Sequence, residues 1–468
     1  MPHRKRTILI AGLLTFVLAT AHVTGRLCAE EEKMEEQPAI ERYSPVLGIA
    51  TQRDPFFPSR IETVTGDVVS SEEFLSPERC KTCHSEIYGQ WKGSMHSNSW
   101  NDPFFQALMK VASKETGGLT DKLCLGCHTP VGVISGEIPP VDASNLSEVA
   151  SMGVFCDFCH TVSKTKGVGN VPAISEPGTV KRGPFEDSKS PFHRAEFSKL
   201  HTSPEFCGLC HNVSHPLSGL PIEQTYSEWL MGPYRSAGVP CQHCHMTPPD
   251  PPTAFTKNPG KACILGPERE HWWTHQFVGG NAFITDLLGS KAHSNHARNR
   301  LKSAAAVQIA PPPNVVMPGL LEFKVKVSNI GCGHYLPTGL TETREMWLDV
   351  SVTDADGKEV YRSGALDEHG EIDPDAVIYH TVVGDEDGRP TWKVWEAARV
   401  LYDYRIPPMG YRLEHYAAYV PADVKLPLTI HAILNYRSAP PHLVRILMGE
   451  EAVDVPIVEM TRAMALVE

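Results

Sequence analysis

Five copies of Cys-x-x-Cys-His lie between positions 80 and 245: Cys80-Lys-Thr-Cys83-His84, Cys124-Leu-Gly-Cys127-His128, Cys156-Asp-Phe-Cys159-His160, Cys207-Gly-Leu-Cys210-His211 and Cys241-Gln-His-Cys244-His245. Thiols at this spacing can add across the vinyl groups of one haem, and the imidazole that follows is placed to take an axial position on its iron. With 13 Cys and 22 His in 468 residues, chance would supply roughly 0.02 such pentapeptides. The motifs therefore read as five covalent haem c sites, with the ten cysteines as thioether donors and His84, His128, His160, His211 and His245 as proximal ligands. Structural zinc would use the Cys pairs two at a time, and a thioredoxin-like pair would occur once without a trailing His.

The motifs are 44, 32, 51 and 34 residues apart, about 33 residues of chain per haem. That is too little to surround each macrocycle with an apolar core of its own, so the haems must lie close together and form much of the interior. Short helices should follow several motifs. His84, Ile87, Tyr88 and Trp91 recur at helical spacing and define one face. Gly and Pro make loops of 132–140 and 167–183, and the prolines of 246–259 make a rigid connector. His271 and His275 fall at i and i+4 and would share a face if that segment is helical, and 281–306 reads as a helix through Ala292, Ala297, Leu301, Ala304 and Ala305.

Beyond Pro311 the texture changes. Leu321-Glu-Phe-Lys-Val-Lys-Val-Ser, Met346-Trp-Leu-Asp-Val-Ser-Val-Thr, Val400-Leu-Tyr-Asp-Tyr-Arg and Leu428-Thr-Ile-His-Ala-Ile-Leu-Asn-Tyr alternate with period two, the mark of half-buried strands. About seven strands are expected there. The fold class expected is a mainly α and irregular multihaem domain over 61–309, followed by an all-β sandwich of immunoglobulin-like architecture over 310–468.

The N-terminus carries Arg4, Lys5 and Arg6, an apolar run from Thr7 to Ala19, and the small-x-small set Ala19-Thr20-Ala21. This reads as a signal peptide over 1–21, since so short an apolar run does not span a bilayer core of about 30 Å. An uncleaved membrane anchor is the alternative. Residues 22–60, acidic and then Pro-rich, read as a tether or strap. Loss of the leader would take the formal net charge from −12 to −15, which makes nucleic acid an improbable partner and suits a basic redox partner or a cation. Export agrees with a periplasmic or extracellular site of haem attachment. Cys28, Cys263 and Cys332 are left over, and an oxidising compartment would permit a Cys263–Cys332 disulfide.

Each iron also needs a sixth ligand or an open position. With the proximal residues, His3 and His22 set aside, 15 His remain, enough for every iron. His96 lies 12 residues beyond His84, about 18 Å along a helix at 1.5 Å per residue, so it would serve a neighbouring iron. Pro77-Glu-Arg-Cys80 through Tyr88, Trp91, Ser94 and His96 resembles multihaem cytochromes c of the branch that holds the nitrifier tetrahaem cytochrome and octahaem hydroxylamine oxidoreductase. Thr225-Tyr-x-Glu-Trp229, Gly238-Val-Pro-Cys241 and His275-Gln-Phe-Val-Gly279 are similar to the same superfamily. The resemblance covers about 75–280 and implies His96 and His275 as distal ligands. It also draws attention to His201, with His193 and His215 as alternatives, because related proteins often carry a ligand near that place. His271, His293 and His296 are weaker candidates. Gly331-Cys-Gly-His334-Tyr-Leu-Pro-Thr-Gly339 resembles a loop of β-domains appended to multihaem cytochromes. Its glycines would let His334 approach a haem, the alternative being a turn residue packed in the sheet. His369, His380, His415, His431 and His442 read as surface or core residues.

An iron with two protein ligands has no place for substrate, so its chemistry is electron transfer. The sequence thus points to an exported pentahaem carrier working with redox proteins or a quinol-linked donor, with no catalytic residue to name. One alternative is an oxidoreductase with one open haem acting on a small nitrogen or sulfur compound. Another is a subunit of a haem filament, homo-oligomer or respiratory complex.

Overall fold

Each Cys-x-x-Cys-His occupies about one helical turn, which brings both sulfurs and the imidazole toward a common side. The computed structural model describes residues 53–253 and 255–468; the expected leader, the acidic run and Cys28 lie outside them. Cys80 is in helix Pro77–Lys81, and His84 caps helix Ser85–Trp91. The other motifs fall at the end of Leu119–His128, along Cys156–Thr161, at the end of Pro204–Gly208 and along Cys241–His245. The backbone bonds His84 N–H to Cys80 O (2.8 Å) and His211 N–H to Cys207 O (2.9 Å) close the motif turns.

Local chemistry sets where these helices start and stop. Asp102 accepts from Phe104 N–H and Phe105 N–H ahead of Pro103, so helix Pro103–Thr116 begins there, and it ends at Gly117 with φ of 61°. Among the expected loops are short strands: Ala173–Ser175 pairs with Glu62–Thr63 on one side and with Val162–Thr165 on the other. Phe56, Ile61, Leu125, Val131, Ile134, Phe155 and Val171 are almost wholly buried in the core beneath the motifs.

The segment holding His271 and His275 is extended, not helical. Trp272 N–H donates to Asn258 O, Thr274 N–H to Met246 O (2.9 Å each) and His275 N–H to Gln90 Oε1 (2.9 Å), so neighbouring segments hold the groups that a helix would have used. The expected helix over 281–306 is two helices, Ala282–Leu287 and Lys291–Ala304, separated at Gly289, whose φ of 87° breaks the ladder.

Helix Lys291–Ala304 runs directly into strand Ala305–Ala310. One sheet is ordered Tyr411–Val420, Gly319–Asn329, Ala305–Ala310; another is Glu359–Ser363, Glu345–Thr353, Leu428–Arg437, Val458–Val467. Thr381–Gly384 lies between Pro390–Thr391 and Arg399–Asp403 in a third. The period-two pattern is realised in the strands that hold Leu321, Met346 and Leu428, but not in Arg399–Asp403, whose residues are all exposed because no apolar layer packs on that edge strand of the small third sheet. Leu321, Phe323, Val325 and Val327 point into one core with Met346, Leu348, Val350, Val352, Ile430 and Leu434. The expectation of an all-β region is corrected by helix Pro441–Met448. Its Leu443 and Val444 bury against Phe104, Phe283 and Ile284, apolar residues of the first half that the sheets leave uncovered.

Glu342, in a short turn beside the first half, has Oε2 buried without a hydrogen-bond partner among the described residues. Burial, opposed by Arg405, raises its carboxyl from 4.5 to about 7. The folded chain then keeps a proton that the unfolded chain releases, so stability is full below pH 4.5 and declines as pH rises to about 7. Glu342→Gln, neutral throughout, should be stabilised relative to the parent at pH 7.5 and little changed at pH 4, by urea unfolding at both. An equal effect at the two pH values would refute a neutral buried carboxyl.

Candidate haem sites

Four of the five motif imidazoles are oriented by a backbone carbonyl at Nδ1. His84 donates to Ala262 O (2.8 Å), His128 to Ser99 O (2.9 Å), His160 to Arg182 O (2.5 Å) and His245 to Val278 O (2.8 Å). A proton on Nδ1 leaves Nε2 with its lone pair, the state an iron ligand needs. His275 and His334 are held the same way, by Trp273 O (2.9 Å) and Tyr335 O (2.8 Å). Burial lowers the pKa of His96 and His275 to about 3, so both rings are neutral.

Three motif imidazoles face a second imidazole at nearly one separation. Ring centroids are 6.3 Å apart for His211 and His96, 6.4 Å for His160 and His275, and 6.4 Å for His245 and His334. Two imidazoles on opposite sides of one metal, each with an N–metal bond of roughly 2 Å, place their centroids about 6 Å apart. The donor set and its spacing therefore fit haem iron. His96 does lie by a motif other than its neighbour in sequence.

The remaining candidates divide by what their nitrogens already do. His201 is also near His160, at 5.4 Å, with Nε2 3.1 Å from Cys159 O and Nδ1 buried without a hydrogen-bond partner among the described residues. His293 uses both nitrogens, with Ser290 Oγ (2.7 Å) and Gln90 O (2.8 Å). His215 contacts Trp395 O through Nε2 and accepts from Leu217 and Ser218 N–H through Nδ1. His271 joins Trp273 and Phe255 beside His243. His193 is close enough to His84 to act on it electrostatically. The ring contact of His128 is with Phe105, parallel within 6° at 3.6 Å.

The motif thiols show which sites adjoin. Cys80 lies beside Cys156, Cys127 beside Cys210, and Cys207 beside Cys241, near enough for each pair to act on one another. The first motif thus neighbours the third, and the fourth neighbours both the second and the fifth. Cys263 has no disulfide partner among the described residues and sits in a loop clamped to the first motif, where Ile264 N–H donates to Cys83 O (3.0 Å). Cys332 has no disulfide partner among the described residues and is half-buried near Cys244, its thiol pushed up to about 12 by desolvation. The permitted Cys263–Cys332 disulfide does not form.

The loop 331–339 delivers His334 from the β-rich half. Gly331 approaches the end of helix Lys291–Ala304 so closely that a Cβ would lie 2.4 Å from Ser303 O. Sequence reasoning found this loop, both rings of each imidazole pair and all the motif residues. It did not find the orienting carbonyls or Phe105, which carry no signature in residue type.

A family model described as cytochrome c554 and c-prime matches residues 79–161. A penta-heme cytochrome c552 from Thermochromatium tepidum aligns over 84% of this chain and 99% of its own, at 21% identity and a TM-score of 0.61. The chain has a multihaem cytochrome c fold. Together with its five attachment motifs, these likenesses support a multihaem cytochrome c family and five covalently bound c-type haems. A CARDB domain from Pyrococcus furiosus aligns over 35% of this chain and 85% of its own at 13% identity, but its TM-score of 0.17 carries no argument. No curated protein matches. Among the described residues no helix is long and apolar enough to cross a membrane.

Phe105 is 9% exposed and fixes the plane of the His128 ring. Phe105→Ala should cost about 3 kcal/mol of stability, measured by denaturant unfolding of the haem-loaded protein. A change under about 0.5 kcal/mol, the range of ordinary surface substitutions, would show that the stack supports nothing.

Proposed function

We propose that this protein is an exported electron carrier, in which five haems pass electrons through mostly bis-imidazole irons. The observation that carries the reading is the set of three imidazole pairs at 6.3 to 6.4 Å. On it, His96 serves the iron of the fourth motif, His275 that of the third and His334 that of the fifth. His193 is the candidate for the first, on its proximity to His84. His201 is assigned a supporting place beside the third site, since its ring lies 5.4 Å from that of His160, closer than two imidazoles across one metal stand.

The thiol neighbours support an order for the relay: first, third, fourth and fifth sites in line, with the second joined to the fourth. Cys159 and Cys210 also act on each other electrostatically, which supports the step from third to fourth. Short separations of this kind favour fast transfer, and saturated ligation keeps substrate off the irons. Redox proteins or a quinol-linked donor are the proposed partners. The leader 1–21 would send the chain to the periplasm or beyond, consistent with haem attachment. The C-terminal part is proposed as an immunoglobulin-like β-sandwich domain, supported by two sheets sharing one apolar core. Membership of the nitrifier branch remains part of the same proposal, supported by the motifs quoted for it.

A second reading is favoured at one site. His128 meets Phe105 where the other paired rings meet an imidazole, so the iron of the second motif is the candidate for an open position and for binding a small nitrogen or sulfur species.

The test is a pyridine haem assay with low-temperature electron paramagnetic resonance on the oxidised protein. Five haems are expected, with at most one iron high-spin. A majority of high-spin irons would sink the carrier reading. One high-spin iron that binds and turns over nitrite or hydroxylamine would make the second reading the principal one. His275→Ala should add one high-spin iron, whereas His201→Ala should add none; the reverse result would exchange their assignments.

A further inference from the structure

The Thr225-Tyr-x-Glu-Trp229 motif and the His334 loop are 107 residues apart at their closest bonded pair, Glu228 and Tyr335. The structure brings them together. Glu228 lies in helix Thr225–Met231 and is 3% exposed. Its Oε2 accepts from Tyr335 N–H at 3.1 Å and from Thr338 Oγ1–H at 2.7 Å. Its Oε1 accepts from the Arg405 guanidinium, which also binds Asp403 through Nε at 2.9 Å and Nη2 at 2.8 Å. The same guanidinium lies 5.0 Å from the centre of the Tyr335 ring. Thr338 Oγ1 further shares a hydrogen bond of 2.7 Å with Thr225 Oγ1.

Every one of these bonds falls on the C-terminal side of His334. On its N-terminal side Asn329 Nδ2 donates to His334 O at 2.9 Å, and Gly331 N–H donates to Ala304 O at 3.0 Å. The loop needs such restraint because Gly331, Gly333 and Gly339 leave its backbone free, and Gly339 takes a φ of 85°. Gly333 also sits against Tyr234 and Trp229, where a Cβ would come within 3.4 Å of the Tyr234 ring. A buried carboxylate is costly unless charged and polar partners surround it. Glu228 has them on both oxygens, and two of its donors belong to the loop that carries His334.

We propose that Glu228 is a positioning residue for the fifth haem site, a latch that holds the His334 loop so that its imidazole stays opposite His245. This rests on the reading of His334 as the distal ligand. Its chemistry is directional hydrogen bonding from one carboxylate oxygen to the backbone and side chain of the ligand loop. Arg405 pairs with that carboxylate and holds it aimed.

The test compares Glu228→Ala, Glu228→Gln, Thr338→Val and His334→Ala in the haem-loaded full chain, read by electron paramagnetic resonance and by carbon monoxide binding to the reduced protein. His334→Ala should add one high-spin iron and one carbon monoxide site per chain. Glu228→Ala should give the same two signals, and added imidazole should return that iron to low spin. Glu228→Gln keeps an acceptor and should remain low-spin, while Thr338→Val should show the new signals in a smaller fraction of molecules. If His334→Ala adds the iron signal and neither Glu228→Ala nor Thr338→Val does, the latch is wrong and the ligation stands. If His334→Ala adds no signal, the ligand assignment itself fails. If Glu228→Ala does not accumulate with five haems, Thr338→Val decides, and an unchanged spectrum from it overturns the latch.

Discussion

An imidazole can bind iron only through a nitrogen that carries no proton, and a buried ring has two nitrogens from which to choose. The protein settles the choice with backbone carbonyls. Ala262, Ser99, Arg182 and Val278 each hold the Nδ1 proton of a motif His, and Trp273 and Tyr335 do so for two facing rings. These acceptors come from loops and short strands, whose carbonyls are not spent on helix ladders. That is a physical reason for the first half to be rich in irregular backbone: a longer helix at any of these places would have consumed the carbonyl inside itself.

The same economy explains the short helices. One turn suffices to present two sulfurs and an imidazole, and more helix would push neighbouring motifs apart. Instead Cys80 meets Cys156, Cys127 meets Cys210 and Cys207 meets Cys241 across separate segments. The apolar core built by Phe56, Ile61, Leu125, Ile134 and Phe155 lies to one side of this meeting place. Residues near 53–60 contribute to it from the end of the expected strap, and Lys122 Nζ donates to Pro55 O at 2.7 Å.

What was legible in the sequence follows from how local each signal is. The attachment motifs are pentapeptides, legible without any long-range contact, and the strands from Leu321, Met346 and Leu428 follow from a period of two residues. The partners of His96, His275 and His334 depend on contacts between segments far apart, so residue type could nominate them but could not pair them. Whether the segment of His271 and His275 is helical was left open by its spacing, and it is not, because Trp272 and Thr274 are bonded to Asn258 and Met246, which no periodicity reveals. Helix Pro441–Met448 was missed although Leu443, Val444 and Leu447 have helical spacing. Its short apolar run, read in isolation, does not distinguish a helix from another strand.

The β-rich half looks like an appendage in sequence, with no attachment motif of its own, yet its contacts reach into the first half at three kinds of point. Helix Pro441–Met448 covers Phe104 and Phe283; Trp395 Nε1 donates to Glu115 Oε2 at 2.8 Å; and the loop around His334 meets helix Thr225–Met231. A mobile appendage could not keep an imidazole 6.4 Å from His245 with the two rings within 21° of parallel. Two sheets around one apolar core supply the stiffness, and the ion pair of Glu345 with the buried guanidinium of Arg437 fastens the edge of that core. The strands hold the imidazole of His334 still.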